Sequence, residues 1–251
     1  MTTTQPSTER IEAHPVLEGY YARPEDRQNV VNTLFDDTAR FYDRITGLMS
    51  LGTGLAYRKK VLRHVGVREG SRVLDLACGT GQVAAAALRL VGSTGEVLGV
   101  DPSQGMRLEA GRRRGIRVLD GKADRLPVPD AGFDFVTMGY ALRHAGDLVA
   151  AFREMRRVLR PGGKVVILEI TPPEGRTAHA ILKCYLKRVV PLGAFVVTGN
   201  ARARELMSYY WDSIERCVPP ETILHALTTA GLKNAARSRT LGIFNEYVAE
   251  A

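Results

Sequence analysis

The sequence predicts a doubly wound α/β fold: a mainly parallel, seven-stranded sheet that ends in an antiparallel hairpin and is covered by a helical lid. Three observations predict it. Short apolar runs alternate with amphipathic stretches between Arg72 and Ile170. A loop with two glycines, Gly79 and Gly81, follows the first of those runs. The chain then closes on two strand-like segments with no helix between them. Apolar strands separated by helices imply a parallel sheet covered on both faces, and two adjoining terminal strands imply a hairpin.

Taken in order, residues 1–22 read as an N-terminal tail, mobile to about Gly19. Met1 to Thr8 is polar and lacks the apolar core of a secretory signal. Residues 23–66 form a helical lid segment, in which Val30, Leu34, Phe41 and Ile45, then Leu55, Val61, Leu62 and Val65, recur at helical spacing. Gly47, Gly52 and Gly54 are expected to split it into two helices, with Ser50 and Thr53 as candidate caps. The core, residues 67–251, begins with the strand Arg72 to Ala77 and the helix Val83 to Val91. Gly95 to Val100 is the next strand, and Ser103 can cap the helix that follows. Ile116 to Leu119 and Phe133 to Met138 are further strands. Leu148 to Leu159 is amphipathic, with Phe152, Met155, Val158 and Leu159 on one side. Arg160-Pro161-Gly162-Gly163 ends that helix and starts the strand Lys164 to Ile170. Two helices, Ala178 to Val190 and Ala201 to Arg216, then interrupt the alternation within an insertion of about 174–216 that is expected to cover the functional site. Pro219-Pro220 opens a last helix, Gly231 ends it, and Asn234 to Ser238 and Gly242 to Ala249 make the hairpin.

At 251 residues, 45% of them hydrophobic and 25% charged, the chain can bury a core without covalent staples. Cys78, Cys184 and Cys217 form no C-x-x-C pair, which argues against a disulfide framework or a zinc site and for the reducing cytoplasm. The longest apolar stretch, Val189 to Val197, contains Pro191 and Gly193 and is too short to span a bilayer. The net charge of +8 comes from arginines scattered along helices, as at Arg112, Arg113 and Arg114, and reads first as a solvated basic surface. Peripheral contact with an anionic membrane and formation of a homodimer stay open. No base-reading element accompanies the charge, so nucleic acid is not an expected partner.

Val73 to Gln82 reads VLDLACGTGQ, a strand running through a glycine loop into a helix. Glycines let the backbone approach a ligand closely, and the helix N-terminus offers unpaired N–H groups. The spacing G-x-G-x-x-A, from Gly79 to Ala84, also satisfies a dinucleotide fingerprint, with Asp101 at the distance expected for a ribose. The loop alone therefore does not separate an NAD-dependent oxidoreductase from a methyltransferase. Asp75 does. A carboxylate four residues before the first glycine would repel a pyrophosphate and attract the ammonium of a methionine moiety. Asp101, with two acceptor oxygens, can hold both ribose hydroxyls. The competing reading is that both aspartates only cap helices or turns.

LDLACGTG, VDPS, ADRLPVPDAGFD and MRRVLRPGGKVVILE resemble the successive motifs of class I S-adenosylmethionine-dependent methyltransferases, which have a Rossmann-like fold. Phe35 to Gly52 (FDDTARFYDRITGLMSLG), Tyr140 to Asp147 (YALRHAGD), Leu168 to Pro173 (LEITPP) and Val190 to Ile223 narrow the resemblance to the ubiquinone and menaquinone biosynthesis C-methyltransferases. The resemblance implies S-adenosylmethionine as cofactor, S-adenosylhomocysteine as product, no metal and a small-molecule acceptor. It implies that Tyr42 lies over the methionine end, Asp75 by the amino group, Ala77, Gly79 and Gly81 along the ligand backbone and Asp101 with Pro102 at the ribose. Met106 would pack near the adenine, with Ala123 and Asp124 at its edge. Lys122 departs from the family's Asp or Asn and cannot accept a bond from the adenine amino group.

Arg143 resembles a family arginine that acts with water on the ring hydroxyl of the acceptor. His144 replaces the family's usual Asn, and its reference pKa near neutrality makes it a candidate general base; a purely structural part in the loop is the alternative. Tyr20, Tyr21, Tyr140, Tyr209, Tyr210 and Trp211 are candidate acceptor contacts, because aromatic rings stack on planar or isoprenoid groups. Ordinary helix packing explains several of them equally well. The expected activity is C-methylation of a quinol-like or other aromatic or isoprenoid acceptor. O- or N-methylation of a specialised metabolite or a lipid headgroup amine is the alternative, since one fold serves many acceptors.

Overall fold

A computed structural model describes residues 9–50 and 52–251. The reading of Met1 to Thr8 lies outside the described residues. The seven strands are β1 (Arg72–Leu76), β2 (Glu96–Val100), β3 (Val118–Leu119), β4 (Phe133–Gly139), β5 (Leu159–Ile170), β6 (Lys233–Thr240) and β7 (Phe244–Glu250). They form one sheet in the order β3-β2-β1-β4-β5-β7-β6. The first five are parallel, and β7 pairs antiparallel with both β5 and β6. The doubly wound sheet and its terminal hairpin thus match the periodicity. β3 is shorter than Ile116 to Leu119.

Val73, Leu74, Leu76, Val136 and Ile167 are all buried, because both faces of the central strands are covered. One face meets α5 (Leu148–Val158) and α9 (Pro220–Thr229), which contribute Phe152, Met155 and Leu227 to the largest core cluster. Asp147 caps α5 by accepting bonds from Val149 and Ala150. The other face meets α2 (Gly54–His64) and α3 (Gln82–Val91). Ser103 caps α4 (Gln104–Arg114) by accepting a bond from the Met106 N–H at 3.1 Å.

The lid splits into two helices as expected, but not at Gly47. α1 (Arg27–Ser50) runs through Gly47 without a break, since the helix is tied down along its length by packing on α4, α7 and α8. Neither Ser50 nor Thr53 caps α2; the Thr53 hydroxyl instead donates to the Ser50 carbonyl. The insertion is also more helical than its prolines imply. α6 (Arg176–Cys184) passes through a widened turn, Tyr185–Val189, into α7 (Val190–Thr198). The wide turn sits just before Pro191, whose ring cannot fit against a regular preceding turn. α8 (Ala201–Arg216) follows, capped by Asn200.

The segment before α1 is not a mobile tail over its described part. Ala13, His14, Leu17 and Tyr21 are buried. The Ile11 carbonyl accepts from Leu148 and the Ala13 carbonyl from Val218, which straps the segment across the loop before α5 and the entry to α9. Buried Arg27 pins the strap by donating to the carbonyls of His14 at 2.8 Å and Ala145 at 3.2 Å while facing Glu12. Sequence periodicity misses this because the strap forms no regular helix or strand: Ala13, Leu17 and Tyr21 are buried against distant elements, and long-range hydrogen bonds fix the backbone.

Arg27→Ala leaves two carbonyls without their donor and is expected to cost about 2–3 kcal/mol. Urea unfolding followed by circular dichroism checks this; a midpoint unchanged from wild type would show that the strap contributes nothing to stability.

Candidate active site

β1 and β4 are neighbours, with Leu76 opposite Met138, and the chain leaves both strands in an uncommon conformation. Ala77 has φ 47° and Tyr140 φ 61°, left-handed values that side chains other than glycine seldom adopt. Such strain persists where surrounding structure imposes it. Here it opens a crevice at the carboxyl edge of the sheet, made of three adjoining cavities of about 40, 60 and 70 Å³ that all touch Ala77. Gly81, at φ 83°, turns the loop into α3, and a Cβ there would meet Ile116 at 2.7 Å.

At one end of the crevice lie Asp75 and Arg58, both buried. Asp75 accepts bonds from the Ala84 N–H at 2.9 Å and the Thr137 hydroxyl at 2.7 Å. The Ala84 bond is a helix-capping contact, so the capping reading of Asp75 is realised alongside its place in the crevice. Burial nevertheless raises its pKa to about 7, against those bonds and the nearby Arg58 charge. Arg58 stacks over the Tyr140 ring at 5.1 Å, and its Nε has no partner among the described residues.

The middle of the crevice holds Asp101, Pro102, Met106 and His144. Asp101 accepts from the N–H groups of Gly79 at 2.7 Å and Ser103 at 2.8 Å, and burial raises its pKa to about 6 despite them. Ala123, Asp124 and Lys122 line the far end. α1 closes the crevice from above. Asp36 accepts from the Ser103 hydroxyl and the Gly105 N–H, and Asp43 from Thr80, Gln82 and Arg114, all within 3.1 Å.

A second, larger cavity of about 550 Å³ lies beyond Tyr42 and Tyr140, which line it and two of the three crevice cavities. These two rings are the partition between the spaces. The larger cavity is mainly apolar, with Met49, Ile170, Leu182, Met207 and Phe244 in its wall. Arg58 and Lys60 are its charged residues, and no Asp or Glu lines it among the described residues.

Of the aromatic residues expected at the acceptor, Tyr140 and Tyr210 line this cavity. Tyr20, Tyr21, Tyr209 and Trp211 do not; they pack in the cluster under α8, where Tyr20 donates to Asp212 and Trp211 to Glu215. Arg143 lies behind the cavity wall. It is fully buried, paired with Glu169, bonded to Ser213 and stacked 4.5 Å from the Tyr210 ring. His144 faces the crevice, not the larger cavity; its Nδ1 lies 3.2 Å from the Tyr209 hydroxyl and its ring stacks on that tyrosine. Burial, and then Arg143, push its pKa well below 6.5, so it stays neutral and is a weak base.

Sequence reasoning missed Arg58, Asp36 and Asp43. Arg58 stands in AYRKKVL, where it reads as one more solvated cation. The aspartates lie in the FDDTARFYDR motif, whose polar spacing was a usable signal. Among the described residues no group of three or more His, Cys, Asp or Glu side chains could hold a metal ion, and no helix is long and apolar enough to cross a membrane.

Comparison with known proteins follows the same lines. The model of the ubiE/COQ5 methyltransferase family matches residues 23–249. The chain is 37% identical over 186 residues to a demethylmenaquinone methyltransferase of Staphylococcus aureus strain MRSA252, covering 72% of this chain and 75% of the relative. Among solved structures, it is similar to an S-adenosylmethionine-dependent methyltransferase from Aquifex aeolicus (TM-score 0.58, 18% identity, 92% of this chain and 99% of that one). A second, from Thermotoga maritima, gives TM-score 0.61 at 19% identity over 87% of this chain and 98% of that one. Both structures support the Rossmann-like fold.

Asp75 and Asp101 bind protons more tightly in the folded chain than in the unfolded one. Their contribution to stability is therefore complete below an unfolded-state pKa of about 3.9. It is lost as pH rises through about 6 for Asp101 and about 7 for Asp75. Between about pH 5 and pH 8 the ligand-free chain is expected to lose on the order of 4 kcal/mol from these groups, about two-thirds of it from Asp75. Asp75→Asn should flatten that loss, as read from urea midpoints at both pH values; an equal loss in the variant would remove Asp75 from the account.

Proposed function

The chain belongs to the ubiE/COQ5 methyltransferase family and is an S-adenosylmethionine-dependent methyltransferase; we propose that it methylates a ring carbon of a quinol-like acceptor that carries an isoprenoid or comparable apolar tail. The observation that carries this reading is the junction at Tyr42 and Tyr140, where a crevice with opposed charges meets an apolar cavity lined by cations and, among the described residues, by no carboxylate. Residues 23–66 and about 174–216 then form the cover, and the rest of 67–251 the core.

The residues of the crevice fit the cofactor. Asp75 would take the ammonium and Arg58 the carboxylate of the methionine moiety, which accounts for a raised carboxyl pKa and an orphaned buried Nε at the same end. Gly79 and Gly81 allow close approach, Asp101 would hold the ribose hydroxyls, and Ala77, Pro102 and Met106 would pack along the nucleoside. Ala123 and Asp124 would face the adenine. His144, placed in the crevice, would be part of that wall rather than a base. Arg143 would be a positioning residue that fixes Tyr210.

When bound, S-adenosylmethionine supplies a methyl group on a positively charged sulfur that needs alignment more than activation. Tyr42 and Tyr140 would confine the acceptor ring against the crevice. Arg58, whose five N–H donors can serve two anions, would favour the ionised ring hydroxyl and so raise electron density at the ring carbon. α1, bolted by Asp36 and Asp43, would exclude water. An amine acceptor would enter as a cation and meet Arg58 and Lys60 in a cavity that no Asp or Glu lines among the described residues. That ranks N-methylation below ring methylation. The S. aureus relative is named for demethylmenaquinone, an acceptor of the proposed class.

Incubation with methyl-labelled S-adenosylmethionine and reduced benzoquinols or naphthoquinols, with and without an isoprenoid tail, tests the reading. The expected product carries the label on a ring carbon, located by NMR, with a lower KM for the tailed acceptor. Label on oxygen, or no product from any ring acceptor, would overturn it. Arg58→Leu removes charge-assisted bonds and should weaken S-adenosylhomocysteine binding roughly 10- to 100-fold by calorimetry, whereas His144→Asn should leave turnover within about threefold if the imidazole is no base.

A further inference from the structure

We propose that α6, the wide turn and α7 form a docking face for an anionic lipid surface, with the mouth of the 550 Å³ cavity set against the bilayer. The inference deepens the functional reading and rests on it only for the reason that an apolar-tailed acceptor would be delivered there. α7 buries Val190, Pro191 and Ala194 against α1 and α8, yet its outward side is just as apolar. Leu192 is 59% exposed and Val196 73%, with Val189 and Val197 beside them. Exposed apolar side chains in one contiguous patch cost solubility unless something covers them.

Three observations point to lipid as the cover. The patch is continuous with the cavity mouth: Gly193 lies against Leu48, whose neighbour Met49 lines the cavity, and exposed Ile181 precedes Leu182, which does too. Across the mouth, Leu241 lines the cavity and stands 84% exposed at the tip of the β6–β7 turn, so two apolar projections from separate elements flank one opening. The charge is also one-sided. Residues 175–204 contain six Lys and Arg and no Asp or Glu. Lys183 and Lys187 are held by Glu215 and Asp212, but Arg188, next to Val189, and Lys60, at the mouth, have no carboxylate partner among the described residues. Apolar side chains flanked by cations, two of them without a carboxylate partner, are the surface that an interfacial helix presents to anionic headgroups.

Co-sedimentation with phosphatidylcholine vesicles, with and without phosphatidylglycerol, tests the proposal. Wild type is expected to sediment with the anionic vesicles and to release at high salt. The double variant Leu192→Glu, Val196→Glu should lose partitioning on the order of tenfold or more, and Arg188→Glu several-fold. Neither variant touches the crevice or the cavity, so both should keep the wild-type thermal midpoint and S-adenosylhomocysteine affinity. Wild type that stays in the supernatant, or a double variant that sediments as well as wild type, would overturn the proposal. So would light scattering that finds a wild-type dimer dissolved by the double variant, because the face would then be covered by a second copy. Vesicle binding that persists when no ring acceptor is methylated would uphold the docking face and sink the acceptor assignment instead.

Discussion

Asp75, Asp101 and Arg58 are held out of water at the carboxyl edge of the sheet, an arrangement that costs several kcal/mol per ion unless each charge is answered. The chain answers them only in part. Asp75 has a backbone N–H and a hydroxyl, Asp101 two backbone N–H groups, and Arg58 the face of Tyr140. Both carboxyl pKa values remain raised, and the Arg58 Nε remains unpartnered. A site that keeps opposite charges buried and incompletely satisfied is complementary to a ligand that brings the missing ones.

The lid is held by the opposite logic. Burial would raise the pKa of Asp43, but bonds from Thr80, Arg114 and Gln82 hold it below the usual range. It is a satisfied carboxylate, bolting α1 to the glycine loop and to α4. These bonds fix α1 over the crevice and its cavities of about 40 to 70 Å³. The strap from Ile11 to Tyr21 adds to this closure through Arg27, whose bond to the Ala145 carbonyl reaches the loop that carries His144.

What the sequence discloses is what local pattern encodes. Alternating runs, the glycine loop and aspartates at successive strand ends place the sheet and most of the crevice, because each depends on neighbours a few residues away. Arg58 joins Asp75 only through packing of α2 on α3, and nothing in AYRKKVL marks it off from the solvated cations nearby. Tyr209 and Trp211 look the same as Tyr210 in sequence, yet helical rotation turns only Tyr210 to the cavity. Gly47 and Pro191 are breakers by propensity that tertiary packing overrides, at the cost of a widened turn before the proline.

The position of the crevice follows from the order of the strands. The chain winds outward from β1 to β3 and then returns to β4 on the other side of β1. The connections leaving β1 and β4 must therefore part to opposite faces, which leaves a gap at their carboxyl ends. Ala77 and Tyr140 are the residues that make those departures, and their left-handed backbones are the strain of parting within a single residue. Because Tyr140 is also half of the partition, the turn that opens the crevice sets the wall of the larger cavity. The two spaces cannot be moved apart without rebuilding the junction of β1 and β4, and so their alignment is a property of the sheet rather than of the lid.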